Sequence, residues 1–525
     1  MAAKPPLSLA FAIPDHPWVD STGGAAVRIA MTVGQVSDAA GVVAEVCAER
    51  EAGDGEVGVE LSQRIGRVFA DLRVGADIPS AVALNANTAL SNRGVIPHGD
   101  GMTLSPETAR RLGLGAVQGL EKHIRPYRNG RDLTQTPRGI LAIDLYPLGI
   151  ETVRRDYPAL YQWLLERVKP DRDQQKDKDL REKWWLHRRN NEVMRQSLFG
   201  LSRYIATVQT SKYRFFVFLG KEILPDDKLI AIASDDAYVL GVLSSDIHVS
   251  WALASGARLG VGNDPVYNKS KCFEAFPFPD VKVELKTRIR KLAEQLDTHR
   301  KRYQAQHTDL TLTGIYNVLE KLKAGDALNA KEKVINEHGL VSLLKTLHDD
   351  LDHAVLEAYG WSDLAPLLAV VNGNAAPGAS DTPATRGDCK RALEDALLER
   401  LVALNAERAV EEQSGMIRWL RPEFQMPAAG LTHTPAAEQL EIDIGDVAAV
   451  AAKSGARRDW PATLPEQVRA VAEIFAAARV PLGEDTIAAC FKGRGAWKKR
   501  LPQIIDTLVA VGRIRLRKDG RAVIA

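Results

Sequence analysis

The sequence predicts an α+β chain of several domains, on three observations. Short apolar and β-branched runs, separated by Gly, Pro, Asn and Asp, recur through the first 280 residues. Helical periodicity takes over across residues 281–421. The C-terminal stretch reads as helices followed by a strand pair. A chain of 525 residues also exceeds one ordinary hydrophobic core and implies about three to four domains.

Leu7–Ile13 and Ala25–Val33 are strand-like and flank a turn-rich loop with Gly23-Gly24. They form a hairpin or two neighbouring strands, and two strands cannot bury a core alone. Segment 1–71 is therefore expected to be an incomplete piece of a larger sheet. Segment 72–280 mixes strands, helices and turns. Ser105-Pro106-Glu107 opens a helix, with Ser as the cap and Pro in the first turn. Further helices are expected over Tyr157–Val168 and Leu180–Gly200. Strands are expected at Tyr213–Leu219, Leu229–Ala233 and Val239–Leu243. Prolines at 277 and 279 close the segment.

Segment 281–422 is helical, with runs at Val283–Gln306, Leu340–Tyr359 and Cys389–Glu412. Val371–Thr385 reads as a loop and 423–461 as a linker. In the tail, 462–525, three helices from Leu464, Gly483 and Trp497 precede two strands around Asp519-Gly520. That order is winged-helix-like.

The net charge of +2 hides an uneven distribution. Glu121–Arg214 holds 20 Lys/Arg against 12 Asp/Glu, and Lys492–Arg521 holds 10 against 2. Two basic zones on an otherwise acidic chain suit a polyanion partner, and solvated surface charge is the alternative. The four cysteines, Cys47, Cys272, Cys389 and Cys490, lack disulfide or metal-ligand spacing and read as small buried residues of a reducing cytoplasm. No apolar run is long enough for a membrane span, so no membrane partner is expected.

Several catalytic signatures are missing. There is no Walker loop, no HExxH and no zinc-like Cys/His cluster, so no metal site is expected. Gly113-Leu-Gly-Ala-Val-Gln-Gly119 follows a helix-like run, whereas a dinucleotide-type cofactor loop follows a strand. The only Pro-Pro, Pro5-Pro6, is flanked by Lys4 and Leu7 and cannot form an Asn-Pro-Pro-aromatic loop. No catalytic residue is assigned. Asp235-Asp236 reads as a turn before a strand. Glu284-Leu-Lys286 lies in a helical segment without the upstream partner a nuclease site needs.

A series of motifs carries a resemblance. Phe11–Trp18 with Gly24–Val33, Ile124-Arg-Pro-Tyr-Arg-Asn-Gly-Arg-Asp-Leu133, Trp184-Trp185, Leu201–Ala206, Ser211–Phe216, Gly241–His248, Trp251 and Phe273–Pro279 follow one another. Asp352–Trp361 and Leu401–Pro422 come after them. In this order they resemble the C-terminal part of bacterial adenine-specific DNA methyltransferases. Those enzymes are related to type IIL restriction–modification and phage-defence methyltransferases. The resemblance implies that 1–71 ends a methyltransferase sheet, 72–280 is a target-recognition domain and 281–422 is the helical region after it. It also implies S-adenosyl-L-methionine as cofactor of the complete enzyme and double-stranded DNA as partner. The cofactor loop and Asn-Pro-Pro-aromatic loop would lie outside this chain, either upstream of a truncated or re-annotated start or on a separately encoded catalytic half, so this chain is expected to be inactive alone and to bind no cofactor. A stand-alone DNA-binding adaptor of a defence system is the alternative function.

The residues expected to touch DNA follow from side-chain chemistry. Arg125, Arg128 and Arg131 recur around Asn129-Gly130, where forked donors can meet phosphates or guanine edges. An ion-pair network with Asp132 and Glu121 is the other reading. Lys212 and Arg214 precede an apolar strand and can face a groove or guard an edge. Arg258 and Asn263 flank a glycine-rich loop. Lys498, Lys499 and Arg500 would open the tail's third helix, and Arg515 and Arg517 would sit on its wing. Trp18 is read as a packing group and His16 as a capping group, before either is read as a pocket group. His187, beside Arg188 and Arg189, can reach phosphate or lie on a solvated helix.

Overall fold

The computed structural model describes residues 7–17, 28–37, 39–52, 56–259, 264–374, 383–426, 460–461, 464–477, 487–488, 490–491, 501–510, 514–516 and 522–524. The chain divides into two compact units, residues 1–429 and 430–525.

The first unit begins with strands β1 (Leu7–Pro17), β2 (Arg28–Val36), β3 (Gly41–Ala52) and β4 (Glu56–Gly66). The expected pair is present: β1 and β2 run antiparallel, with Ala12 opposite Thr32. It belongs to a four-stranded sheet ordered β2-β1-β3-β4, in which β3 lies parallel to β1 and antiparallel to β4. Ala12, Val43 and Ala44 are buried, whereas Val33, Val36, Val59, Leu61 and Ile65 are exposed. Arg64 on β4 ties the sheet to Asp395 at 2.5 Å.

The mixed region follows with strands β5 (Ser91–Arg93), β6 (Thr103–Leu104), β7 (Ile124–Arg128), β8 (Leu141–Ile143), β9 (Arg203–Val208), β10 (Val217–Gly220), β11 (Leu224–Pro225), β12 (Leu229–Ile232), β13 (Ala257–Leu259) and β14 (Asp264–Val266). Its helices are α1 (Pro106–Arg111), α2 (Gly130–Thr134), α3 (Ile150–Asp156), α4 (Pro158–Arg167), α5 (Lys169–Asp173), α6 (Lys178–Glu182), α7 (Glu192–Leu198), α8 (Ala237–Ser244) and α9 (Asp246–Ser255). One sheet has the order β10-β9-β12-β5 and the other β11-β7-β8-β6. Strand β12 is buried along its whole length, which explains its unbroken Leu-Ile-Ala-Ile run.

Three expectations fail here for identifiable reasons. Val239–Leu243 is helix α8, buried on every side, and a short apolar run cannot declare its period. Leu180–Gly200 is two helices, because Trp184, Trp185 and Leu186 turn into a core with Leu160 and Leu164. Asn191, at φ 51°, then starts α7 by accepting from Met194 N–H. Tyr213–Leu219 pairs with β9 only from Val217, because Arg214 is drawn inward. Ser105 caps α1 as expected, accepting from Thr108 N–H at 3.1 Å. Among the cysteines, Cys272 is buried and Cys47 exposed.

Helices α10 (Val283–Gln306), α11 (Leu312–Ala324), α12 (Ala330–Gly339), α13 (Val341–Tyr359), α14 (Ala365–Val371), α15 (Pro383–Gln413) and α16 (Pro422–Gln425) complete the unit. They share one apolar core with the mixed region, running from Ile78 to Leu401. Asp236 joins the two: it caps α8 and accepts two bonds from Arg290 on α10, both 2.7 Å. It therefore precedes a helix, not a strand. Gly241 lets α8 approach α10, and an added Cβ would stand 2.6 Å from the Ile289 side chain. Ile289 is fully buried and cannot yield. Gly241→Ala is expected to cost ~1–3 kcal/mol, read as a lower urea midpoint at unchanged slope.

In the second unit, α17 (Leu464–Ala477) and α18 (Leu501–Ala510) bury Val471, Phe475, Leu501, Ile504 and Leu508 with Ile487 and Phe491. Strands β15 (Ile514–Leu516) and β16 (Ala522–Ile524) pair antiparallel. Most of the helix expected at Gly483–Phe491 lies outside the described residues. Among the described residues, no single helix is long and apolar enough to cross a membrane.

Candidate nucleic-acid interface

The Ile124–Leu133 tract is a strand running into a capped helix. Buried Ile124 and Tyr127 fix β7 in the core. Asn129 then caps α2: its Oδ1 accepts from Arg131 N–H (3.0 Å) and Asp132 N–H (3.2 Å). Asp132 returns a bond from Asn129 N–H at 3.0 Å, completing a capping box. The Asn129 side-chain oxygen, in the turn expected to touch DNA, is thus a helix cap, although Asn129 still lines the cleft described below.

The three arginines of the tract have different fates. Arg125 bonds Asp144 (3.0 Å) and donates to the carbonyls of Glu222 (3.1 Å) and Lys221 (2.7 Å). Its guanidinium belongs to the scaffold, and the ion-pair partner is Asp144, not Glu121 or Asp132. Burial tends to raise the Asp144 pKa. Two hydrogen bonds from Arg195, with the Arg195, His187 and Arg125 charges, overcome it and hold the carboxyl below its ordinary value. Arg128 is half-buried and donates to the Tyr127 carbonyl at 3.2 Å. Arg131 is exposed, its Nε donating to Gln135 at 3.0 Å. Asp132 pairs with Arg138, at 2.9 Å for both contacts.

Arg131 stands between two adjoining clefts. The larger, about 820 Å³, is lined by Asn129, Arg131, Gln135, Gln209, Lys228 and Arg258, among others. The second, about 660 Å³, shares Arg131 and Gln135 and adds Arg138, Asn317 and Lys331. Lys212 is exposed and reaches the second cleft by donating to Asn317 at 3.0 Å. Folding thus gathers Asn129, Arg131, Lys212 and Arg258 from three separate stretches of chain. Arg258 is exposed on β13. Asp226 tempers the positive charge, but it is engaged by the Tyr127 hydroxyl and by Lys228 N–H. Burial raises the Tyr127 pKa, so the phenol stays the donor.

Arg214 is a correction. It is 7% exposed, and its guanidinium bonds Thr207 Oγ1 and the carbonyls of Val208 and Pro265. Burial pushes its pKa down to about 10. It fastens β9 to β14 and cannot reach a groove. His187 is also buried, bonded to the Ile143 carbonyl at 2.6 Å, so it is no phosphate contact. His16 pairs with Glu49 at 3.0 Å. Trp18, Asn263, Lys498, Lys499, Arg500 and Arg517, and the side chain of Arg515, lie outside the described residues.

Gln209, Lys228 and Gln135 were not singled out in the sequence. Gln209 follows β9 and Lys228 precedes β12, so both occupy strand ends where side chains leave the sheet. Gln209 Oε1 accepts from Arg93 at 2.8 Å, leaving its amide NH2 as the donor. A polar residue at a strand end was the available signal, and it is common at plain turns.

The glycine-rich stretch Gly113–Gly119 does not form a cofactor loop of the dinucleotide type. Gly113, Gly115 and Gly119 have φ of 101°, 87° and 85°. They form turns after helix α1 and before Leu120, not a strand-to-helix loop that could cradle a nucleoside.

Residues 86–280, which hold both β7–α2 and the 820 Å³ cleft, match the family model of the MmeI target recognition domain. The fold is similar to a solved structure of the type IIL restriction-modification enzyme MmeI in complex with DNA, with a TM-score of 0.52 at 16% identity. That likeness covers 77% of this chain and 46% of the enzyme, so the chain spans less than half of its length. No curated protein matches the chain.

Proposed function

We propose that this chain, which carries an MmeI-type target recognition domain, reads duplex DNA as part of a SAM-dependent adenine-N6 methyltransferase of a restriction–modification or phage-defence system. One observation carries the reading: residues 129–131, 209, 228 and 258 converge on one wide cleft inside the matched region. Arg131 and Arg258 supply forked donors for phosphate or guanine, and the Gln209 amide suits an adenine edge. Lys228 and Lys212 act as phosphate contacts that set register.

The methyl transfer and the S-adenosyl-L-methionine cradle are assigned outside this chain, which takes no catalytic step itself. The catalytic half, on the same polypeptide or a separate one, is the proposed protein partner. The second unit, read as a winged helix, is assigned further DNA contacts through Lys498, Lys499, Arg500, Arg515 and Arg517. The proposed compartment is the cytoplasm.

Equilibrium binding to a duplex library across salt concentrations tests this reading. Log affinity is expected to fall linearly with log salt, with a slope near −0.9 for each phosphate neutralised. A subset of duplexes should bind tighter than the rest at every salt concentration. Salt-insensitive binding, or none, would remove the proposal. A salt-dependent but sequence-blind curve would favour the adaptor reading.

A further inference from the structure

His307, Asp309 and His338 come together where three helices meet. His307 follows the last residue of α10, Asp309 lies in the turn before α11, and His338 is in the last turn of α12. The two imidazoles stack with centroids 4.0 Å apart and planes 13° from parallel. One donor atom from each of the three side chains lies within 4.8 Å of the others. His338 Nδ1 is buried and has no hydrogen-bond partner. The surrounding backbone is held: His307 N–H donates to Tyr303 (2.9 Å), Leu310 N–H to His307 (3.0 Å), and His299 bonds the Gly339 carbonyl (2.8 Å).

We propose that these three side chains form a binding site for a divalent first-row transition ion of the zinc type. Two stacked imidazoles repel each other if both are protonated, whereas a shared cation uses their closeness as chelation. A donor set of two nitrogens and one carboxylate suits zinc, cobalt or nickel, while magnesium and calcium prefer oxygen. Asp309 is exposed and lines the 660 Å³ cleft, which gives an ion its entry path and leaves a coordination position facing solvent. Binding would draw the donors inward to about 2.0–2.2 Å from the ion. It would clip the end of α10 to the end of α12, stiffening the wall that carries Thr311 and Thr313. The spacing 307, 309, 338 matches no sequence signature for zinc, because the chain reaches the site from separate elements. This site stands independently of the DNA reading.

The test uses the full chain, stripped with chelator and dialysed. Cobalt(II) titration is expected to give visible d–d bands and one more tightly bound ion per chain than in the H307Q/H338Q variant. Zinc at about 100 times Kd should raise Tm by on the order of 5 °C in the parent chain and much less in the variant. Magnesium should do neither. Comparing metal-free Tm values separates lost packing from lost metal. If the double variant fails to fold, D309N, at an exposed position, should weaken cobalt binding about tenfold or more. Cobalt uptake and spectra unchanged by H307Q/H338Q, or by D309N where that variant carries the test, would overturn the proposal, as would no uptake in the parent chain.

Discussion

Replacing Asp144 with alanine is expected to cost ~3–5 kcal/mol of stability, the range for breaking a buried ion pair from one side. The carboxylate is 3% exposed and receives Arg195 at 2.7 and 2.8 Å and Arg125 at 3.0 Å. Alanine leaves both guanidiniums largely enclosed, at 16% and 21% side-chain exposure, without their counter-charge. Asp144→Asn keeps the shape and one acceptor and should cost less. The pH dependence has a definite sign. The folded-state pKa lies below the ordinary 3.8, so the contribution is fully present above the unfolded value. It is lost as pH falls through the folded value, in the window below about pH 4. Urea midpoints of the parent chain and Asp144→Ala should therefore converge as the pH drops below that window. Equal midpoints at pH 7 would show that the guanidiniums find other partners.

Asp144 also shows why the charge count was a poor map of the interface. The basic zone Glu121–Arg214 has a real surplus, but much of it is structural. Arg125 and Arg195 answer Asp144, and Arg138 answers Asp132. Arg172 is fully buried on the carbonyls of Pro97, His98 and Leu186, and Arg214 on those of Val208 and Pro265. A sequence lists how many cations exist, and only tertiary packing decides which reach solvent.

Legibility followed the range of the forces involved. Val283–Gln306 was readable to the residue, because a long amphipathic period and the prolines that precede it at 277 and 279 are local signals. Strands β3 and β4 went unread although alternation and Asp54-Gly55 were there, since their charged positions resemble a solvated segment. The cleft was half legible. Asn129, Arg131 and Arg258 were named singly, but their meeting depends on β9, β12 and β13, which lie far apart in sequence.

The double variant Arg131→Ala/Arg258→Ala should weaken duplex binding, with its Tm measured alongside. Arg131 is exposed and its intramolecular hydrogen bond is with Gln135 one helical turn on, so its loss should shift stability by less than about 0.5 kcal/mol. If each arginine contacts DNA, each is worth ~1–3 kcal/mol, roughly 5- to 150-fold in Kd. Their roles separate by salt and sequence. An arginine on phosphate weakens all duplexes alike and lowers the salt slope by about 1. One on a guanine edge relaxes discrimination at one position and leaves the slope nearly unchanged. Arg214→Ala is the contrasting case, since its guanidinium is buried on carbonyls: it should lower Tm and leave the salt slope of the folded fraction intact. If the double variant binds like the parent at every salt concentration while Arg214→Ala alone loses affinity, the cleft is not the DNA-binding face.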